Sequence, residues 1–432
     1  MTYSDHLRRD LPAIGPGGGP LAWTRGEEPF AAALAAMGAP PDTPIPFLDR
    51  LPPGLPLAAA LRPPAGAEGP ALRRGGKAPL RLLQAAPLVA ETPETLLDDE
   101  VTPVGHVFVR NNGREPPPCP DPSAWTLRLD GAVSRPLELT VAELERRFRP
   151  VTLRLQLECG GNGRSGFVPA THGNPWGNGA VSQCEWTGYR LRDLIRAAEP
   201  RADARFTGHF GADADPATGR QAISRGMPLA KALEPHTLLA VRMNGQPLPP
   251  VHGHPLRLVV PGWPGSLSQK WLTRITLRPD PHDGPGMGGT AYRVPVRPIE
   301  PGSAPDGHDF VELTSMPVRA VLTNLPHGAR LPAGLRRLEL RGHAWAGDEA
   351  VRAVAVSVDF GATWQEMAVA SPINRYAWQR WAGAVTLPGA GYVEVWTRAT
   401  DTSGRTQPLR AENWNPQGYG GNAIIRTAIL LG

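Results

Sequence analysis

Cysteine is scarce: Cys119, Cys159 and Cys184 are the only three in 432 residues. Three thiols cannot build a disulfide framework, and no CxxC or CxxCH spacing is present to hold zinc or attach a haem. Long apolar runs are missing too, and a chain without a run of about 18 apolar residues has no transmembrane helix. The net charge of +5 comes from dispersed arginines with no Lys/Arg run, so nucleic-acid binding has no support and an anionic small molecule fits equally well. Arg8 and Arg9 form a twin-arginine pair, but Asp10, Leu11 and Pro12 follow in place of an apolar h-region. The chain as it stands is expected in the cytoplasm, or in the periplasm if a leader has been removed.

Glycine (49) and proline (51) are abundant, and such a composition argues for loops and short strands over long helices. The length suits two domains plus an extension. Residues 1–84 read as a Pro/Gly-rich N-terminal extension with one helix near Phe30–Met37. Residues 85–292 read as a mixed α+β unit, 293–305 as a Pro-rich linker, and 306–432 as an all-β unit.

Within the middle unit, Trp125, Leu127 and Leu129 alternate as a strand, and Thr140 with Glu143 forms a capping box that opens a helix over 141–148. Leu191, Leu194 and Ile195 mark a second helix, and Leu238–Met243 a strand closed by the Asn244-Gly245 turn. Past the linker, Leu338/Leu340, Val354/Val356/Val358 and Val393/Val395 repeat with period two. Seven or so short strands with no helix predict an immunoglobulin-like sandwich.

The chemistry centres on LECGGNGRSGFV, residues 157–168. Val151, Leu153, Leu155 and Leu157 alternate as a strand that delivers Cys159 to a turn of glycines, with Arg164 close by in sequence. A guanidinium beside a thiol favours the thiolate, the form that attacks or binds metal. Taken alone, such a cysteine is more often a small buried side chain. Arg110, His252, Arg257, Ser268 and Lys270 also fall near ends of predicted strands, and together they could hold a large anionic cofactor through its phosphate. Zinc would want more Cys or His ligands at short spacing, so a metal arriving with its own ligands is more economical.

LECGGNGRS, FVRNNG at 108–113, HGHPLRLVVPGWPGSLSQKWLTRI at 252–275 and the later AWAGDEAVRAVAVSVDFGATWQ and WNPQGYGGNA together resemble the sulfite oxidase family of mononuclear molybdenum enzymes, over about residues 85–432. The resemblance implies a molybdopterin domain followed by an immunoglobulin-like dimerisation domain, with one molybdenum per chain held by Cys159 and a pterin dithiolene. Phe108, Arg110, His252, Arg257, Ser268 and Lys270 would hold the pterin and its phosphate. Arg110, Arg164, Trp176 and Tyr292 would line the substrate pocket. Trp176 could equally be core, Cys184 reads as a small buried hydrophobe, and His254 as a surface or core histidine in place of a ligand. The implied reaction is oxidation of sulfite to sulfate, with electrons leaving to a cytochrome c-like acceptor or oxygen, in a homodimer without haem. The alternatives are a sulfane-sulfur dehydrogenase with a cytochrome partner, nitrate or sulfoxide reduction, and a silent binding module of the same fold.

Three departures stand out. Asn112 occupies a place where the family often has histidine, and Gly347, Asp348, Glu349 and Ala350 align where animal members carry a pocket arginine. Tyr292 sits in GGTAYRVP in place of the usual context.

Overall fold

The computed structural model describes residues 71–72, 77 and 79–432, and the helix expected over 30–37 lies outside them. The polypeptide is α+β in its first half and β in its second. Leu80–Gln84 pairs with Val89–Glu91, which pairs with Val109–Arg110. The sheet that carries Arg110 thus begins upstream of residue 85, where the N-terminal extension was expected to end.

Two larger sheets share the main core of the middle unit. In one, Ser224–Pro228, Phe206–Gly211, Leu272–Arg278, Thr126–Gly131 and Leu137–Thr140 lie side by side in that order. In the other, Gln246–Pro247, Leu238–Met243, Val181–Arg190 and Val151–Glu158 follow one another, and Arg257–Val259 also pairs with Leu238–Met243. Leu127, Leu129, Leu191, Ile195, Leu258 and Ile275 meet in the core between them. The helix Val141–Arg147 has its capping box: Glu143 N–H donates to Thr140 Oγ1 (3.1 Å) and Thr140 N–H to Glu143 Oε2 (2.8 Å). Asn244 and Gly245 both have positive φ (51° and 75°), the geometry a two-residue hairpin demands.

The stretch expected as a linker contains a strand, Arg293–Pro295, paired with Phe310–Glu312. From Arg319 onward eight strands follow the order Arg319–Leu322, Arg337–Trp345, Gln379–Thr386, Gln365–Val369, Val351–Ser357, Gly391–Asp401, Ile425–Leu431 and Ala329–Leu331. They enclose an apolar core that contains the fully buried Trp381, and no described residue of this half is helical. This is the immunoglobulin-like sandwich.

Candidate active site

Val151–Glu158 pairs antiparallel with Val181–Arg190 up to Glu158↔Val181, so Cys159 stands just past the ladder. Its N–H donates to Ala180 O (2.9 Å), its carbonyl accepts from Asn162 N–H (2.9 Å), and Gly163 turns the chain at φ +81°. A parallel bridge between Glu158 and Pro264 brings the loop around Ser266 alongside. The approach is close: a Cβ on Gly265 would lie 2.9 Å from Glu158 O.

The facing wall is cationic. Lys270 Nζ donates to Asn111 Oδ1 (2.5 Å) and Val251 O (2.7 Å). Arg257 Nη1 donates to His252 O (3.2 Å), and its guanidinium lies 5.2 Å from the Trp186 ring centre. Lys77 Nζ reaches Val104 O (2.7 Å), Val107 O (2.9 Å) and His252 Nε2 (2.7 Å). With an ammonium donating, Nε2 accepts and the ring proton of His252 sits on Nδ1. Burial, followed by the charges of Lys77, Lys270 and Arg257, holds His252 well below the usual imidazole range, so the ring is neutral. Burial likewise pulls Lys77 down to about 8 and Arg257 to about 10, and lowers Lys270 well below its ordinary value. Burial pushes Asp213 up to about 6, and its Oδ1 accepts from Gln269 Nε2 (3.2 Å).

Of the residues singled out in the sequence, Phe108, Arg110, Cys159, His252, Arg257, Ser268, Lys270 and Tyr292 line one cavity of about 60 Å³, and Asn112 joins them. Arg164 and Trp176 are not in its lining. Arg164 is buried, its Nε donating to Gln417 O (2.6 Å) and its Nη1 to Asn174 O (2.9 Å). Its guanidinium is thus committed to backbone carbonyls of its own and a distant loop. Trp176 is fully buried, edge-on to Phe108 (6.1 Å between ring centres), in a cluster that includes Cys159. Cys184 is buried with its thiol pushed up to about 12, a small apolar side chain as read. Asn111, Ser266 and Gln269 also line the cavity from within the FVRNNG and 252–275 motifs, whereas Asp213 in the lining and Lys77, which buttresses His252, lie outside every motif. Lys77 is 175 residues from His252, and only the folded chain joins them.

The donor set fits a molybdenum–pterin cofactor. Several buried polar atoms of the cavity lining lack a partner among the described residues: Arg257 Nε, Ser266 Oγ and Gln269 Oε1. Unpartnered buried groups are costly, and clusters of them mark the seat of something else. Three cations beside one another repel unless an anion joins them. Lys270 donates to the Asn111 side chain and Arg110 to the Asn111 carbonyl, so two long cationic side chains of the lining are held at one asparagine. Among the described residues no three His, Cys, Asp or Glu converge, so a metal at Cys159 would depend on ligands it brings.

A lone thiol set against a cationic cradle defines a class, the molybdopterin oxidoreductases. Residues 114–285 match the oxidoreductase molybdopterin binding domain and residues 311–431 the Mo-co oxidoreductase dimerisation domain. The chain is 35% identical to sulfite oxidase of Gallus gallus over 354 residues, covering 78% of this chain and 75% of that protein. It is 33% identical to mitochondrial sulfite oxidase of Homo sapiens, covering 82% of this chain and 66% of that one. The NADPH nitrate reductase of Fusarium oxysporum is 30% identical, with 36% of its length covered. Sulfane dehydrogenase SoxCD of Paracoccus pantotrophus shares the fold, with a TM-score of 0.67 at 24% identity over 91% of this chain and 95% of that one. The chain belongs to the sulfite oxidase family, and it is a molybdenum-dependent oxidoreductase.

Proposed function

We propose that the chain oxidises sulfite to sulfate at a molybdenum–pterin cofactor anchored by Cys159, and hands the electrons to an external acceptor such as a c-type cytochrome. The observation that carries this reading is the single cavity in which the Cys159 thiol faces Arg257, Lys270 and His252, with Arg110 and Tyr292 in the same lining. Bound there, the cofactor would supply the oxo group and the two-electron redox chemistry. Arg257, Ser268 and Lys270 would hold its phosphate, and Phe108 and His252 its pterin. The Lys270 ammonium spends two donors on Asn111 and Val251, which leaves a third for an anion. Arg110 would bind the sulfite dianion by a charge-assisted hydrogen bond, and the Tyr292 phenol would donate to one of its oxygens. Trp176 backs Phe108 and Cys159 from beneath, and Arg164 orders the loop that carries the thiol.

The test is metal analysis of the purified chain with sulfite-dependent reduction of ferricyanide and cytochrome c. One molybdenum per chain and turnover with sulfite are expected, and Cys159→Ser should keep the fold while losing turnover. Near-normal sulfite oxidation by Cys159→Ser would sink the assignment. Faster turnover with nitrate and a reduced dye than with sulfite would move the reading to nitrate reduction.

A further inference from the structure

The C-terminal sandwich sends one loop back to the cysteine turn. Gly420 N–H donates to Gly160 O (2.9 Å) and His172 N–H to Pro416 O (2.7 Å). Trp414 Nε1 donates to Pro169 O (2.8 Å), and Gln417 O takes the Nε–H of Arg164 (2.6 Å). Within this loop Tyr419 is pinned by Asn415, which is fully buried: Tyr419 N–H donates to Asn415 Oδ1 (2.8 Å) and Asn415 Nδ2 donates to Tyr419 O (3.0 Å).

The half-buried ring of Tyr419 stacks on Tyr292, with 5.0 Å between centres and 17° between planes. Each phenol carries a guanidinium: Arg164 lies 5.4 Å from the Tyr419 centre and Arg225 lies 4.4 Å from the Tyr292 centre. Arg225 is itself fixed, buried and paired with Glu312 (2.9 Å) and Gly286 O (2.6 Å). Tyr292 is a non-glycine residue at φ +51°, a conformation that persists only where surroundings hold it. Its backbone carbonyl accepts from Leu313 N–H (2.9 Å), and the stack fixes its ring. The other end of the column is tight as well. A Cβ on Gly161 would lie 2.3 Å from Arg164 Nη2, and one on Gly418 would lie 2.7 Å from Arg164 Cγ. The glycines of two domains leave room for this one guanidinium.

We propose that Tyr419 is a positioning residue for sulfite binding: its ring, delivered by the C-terminal domain, holds the Tyr292 phenol in the cavity and the Arg164 guanidinium against the cysteine turn. This rests on the sulfite reading above. Tyr419 does not line the cavity, so it acts through its neighbours. The faces of the ring carry that role through stacking and cation–π attraction, and the hydroxyl oxygen, which accepts from the Tyr292 backbone N–H, adds a smaller hold on the same residue.

The experiment compares Tyr419→Phe, Tyr419→His and Tyr419→Met in the full-length, molybdenum-loaded enzyme. Losing the ring is expected to raise KM for sulfite about tenfold in the Met variant, with kcat within about twofold, as loss of aromatic and cation–π contacts implies. The dissociation constant of sulfate, measured calorimetrically, should rise in parallel while molybdenum content stays constant. The Phe variant, which keeps the stacked ring and loses only the hydroxyl contact with the Tyr292 backbone, should stay within about twofold of the parent, and the His variant should fall between Phe and Met. Wild-type KM and sulfate affinity in the Met variant would overturn the proposal, and so would a Phe variant as impaired as Met. If the Met variant does not fold, an unchanged KM in the His variant overturns it equally. Should the parent fail to oxidise sulfite, the functional reading falls on that result alone, while sulfate calorimetry still reports what Tyr419 does for an anion.

Discussion

Arg257 and Lys270 line one small cavity and Lys77 stands behind its His252, and burial has lowered the proton affinity of all three. A cation kept out of water without a counter-anion destabilises the fold that contains it, and an anion placed among the three offsets that cost. The sign of the pH dependence follows. The Lys77 amine has a folded pKa of about 8 against 10.5 when free, so it is charged below about pH 8 and neutral above. Anion binding to the cofactor-free protein should therefore weaken as pH rises from about 7 to 9, with proton uptake on binding near the top of that range. Sulfate keeps the same charge throughout and is a clean probe, and calorimetry in two buffers reads both effects. Lys77→Met should flatten the profile; an unchanged slope in that variant would assign the titration elsewhere. Cys159, Arg257 and Lys270 could be found by eye because each sits in a dense local motif. Lys77 could not, because an isolated lysine after two glycines carries no local mark of the histidine it will meet.

Among the elements that join the halves is the strand Arg319–Leu322 of the sandwich. Arg319 is buried and donates from Nη1 to Asn162 O (3.1 Å) and from Nη2 to Asn178 Oδ1 (2.8 Å), with Nε 3.5 Å from Glu158 Oε1. Glu158, next to Cys159, also accepts from Asn162 Nδ2 (2.8 Å) and Trp345 Nε1 (2.7 Å). Burial still pushes the Glu158 carboxyl up and Arg319 down, so desolvation outweighs attraction and the pair adds little net stability. Breaking it is another matter. Arg319→Met would strand a buried carboxylate and should cost about 3–5 kcal/mol, whereas Glu158→Gln with Arg319→Met should recover much of the loss. Chaotrope unfolding of the three proteins checks this; a double variant no better than the single one would refute it. The alternation Val151, Leu153, Leu155, Leu157 told where Glu158 falls, directly after it, whereas no period-two reading reached Arg319. Their meeting across 161 residues of sequence left no periodic trace.

The whole molecule turns on how the sandwich spends its tryptophans. Six of them, at 345, 364, 378, 381, 396 and 414, exceed what a small core fills, and surplus aromatics are enriched at subunit contacts. The count misled in part. Trp345 donates to Glu158, Trp378 to Glu100 O and Trp414 to Pro169 O, so three of the six close the contact with the first half of the same chain. Trp381 fills the sandwich core. Trp396 is buried as well, its Nε1 donating to Glu394 Oε2 (2.6 Å), which leaves the half-buried Trp364 beside Gly361, whose Cβ would lie 3.0 Å from the Trp396 ring. Phe360 stands beside them, 42% exposed and edge-on to Trp396, while Arg398 covers Trp364 at 3.9 Å and Arg426 approaches Trp396 at 5.8 Å. Tryptophan, phenylalanine and arginine on one outward patch are the residues that anchor protein interfaces. The patch lies within residues 311–431, which match the dimerisation domain. A two-fold homodimer that uses this patch isologously is therefore expected, with a mass of two 46.2 kDa chains in light scattering at micromolar concentration. Trp364→Ser with Arg398→Glu should yield folded monomers with unchanged circular dichroism. A single-chain mass for the parent would refute pairing itself, and a dimer that survives the double substitution would move the contact to another face of the sandwich.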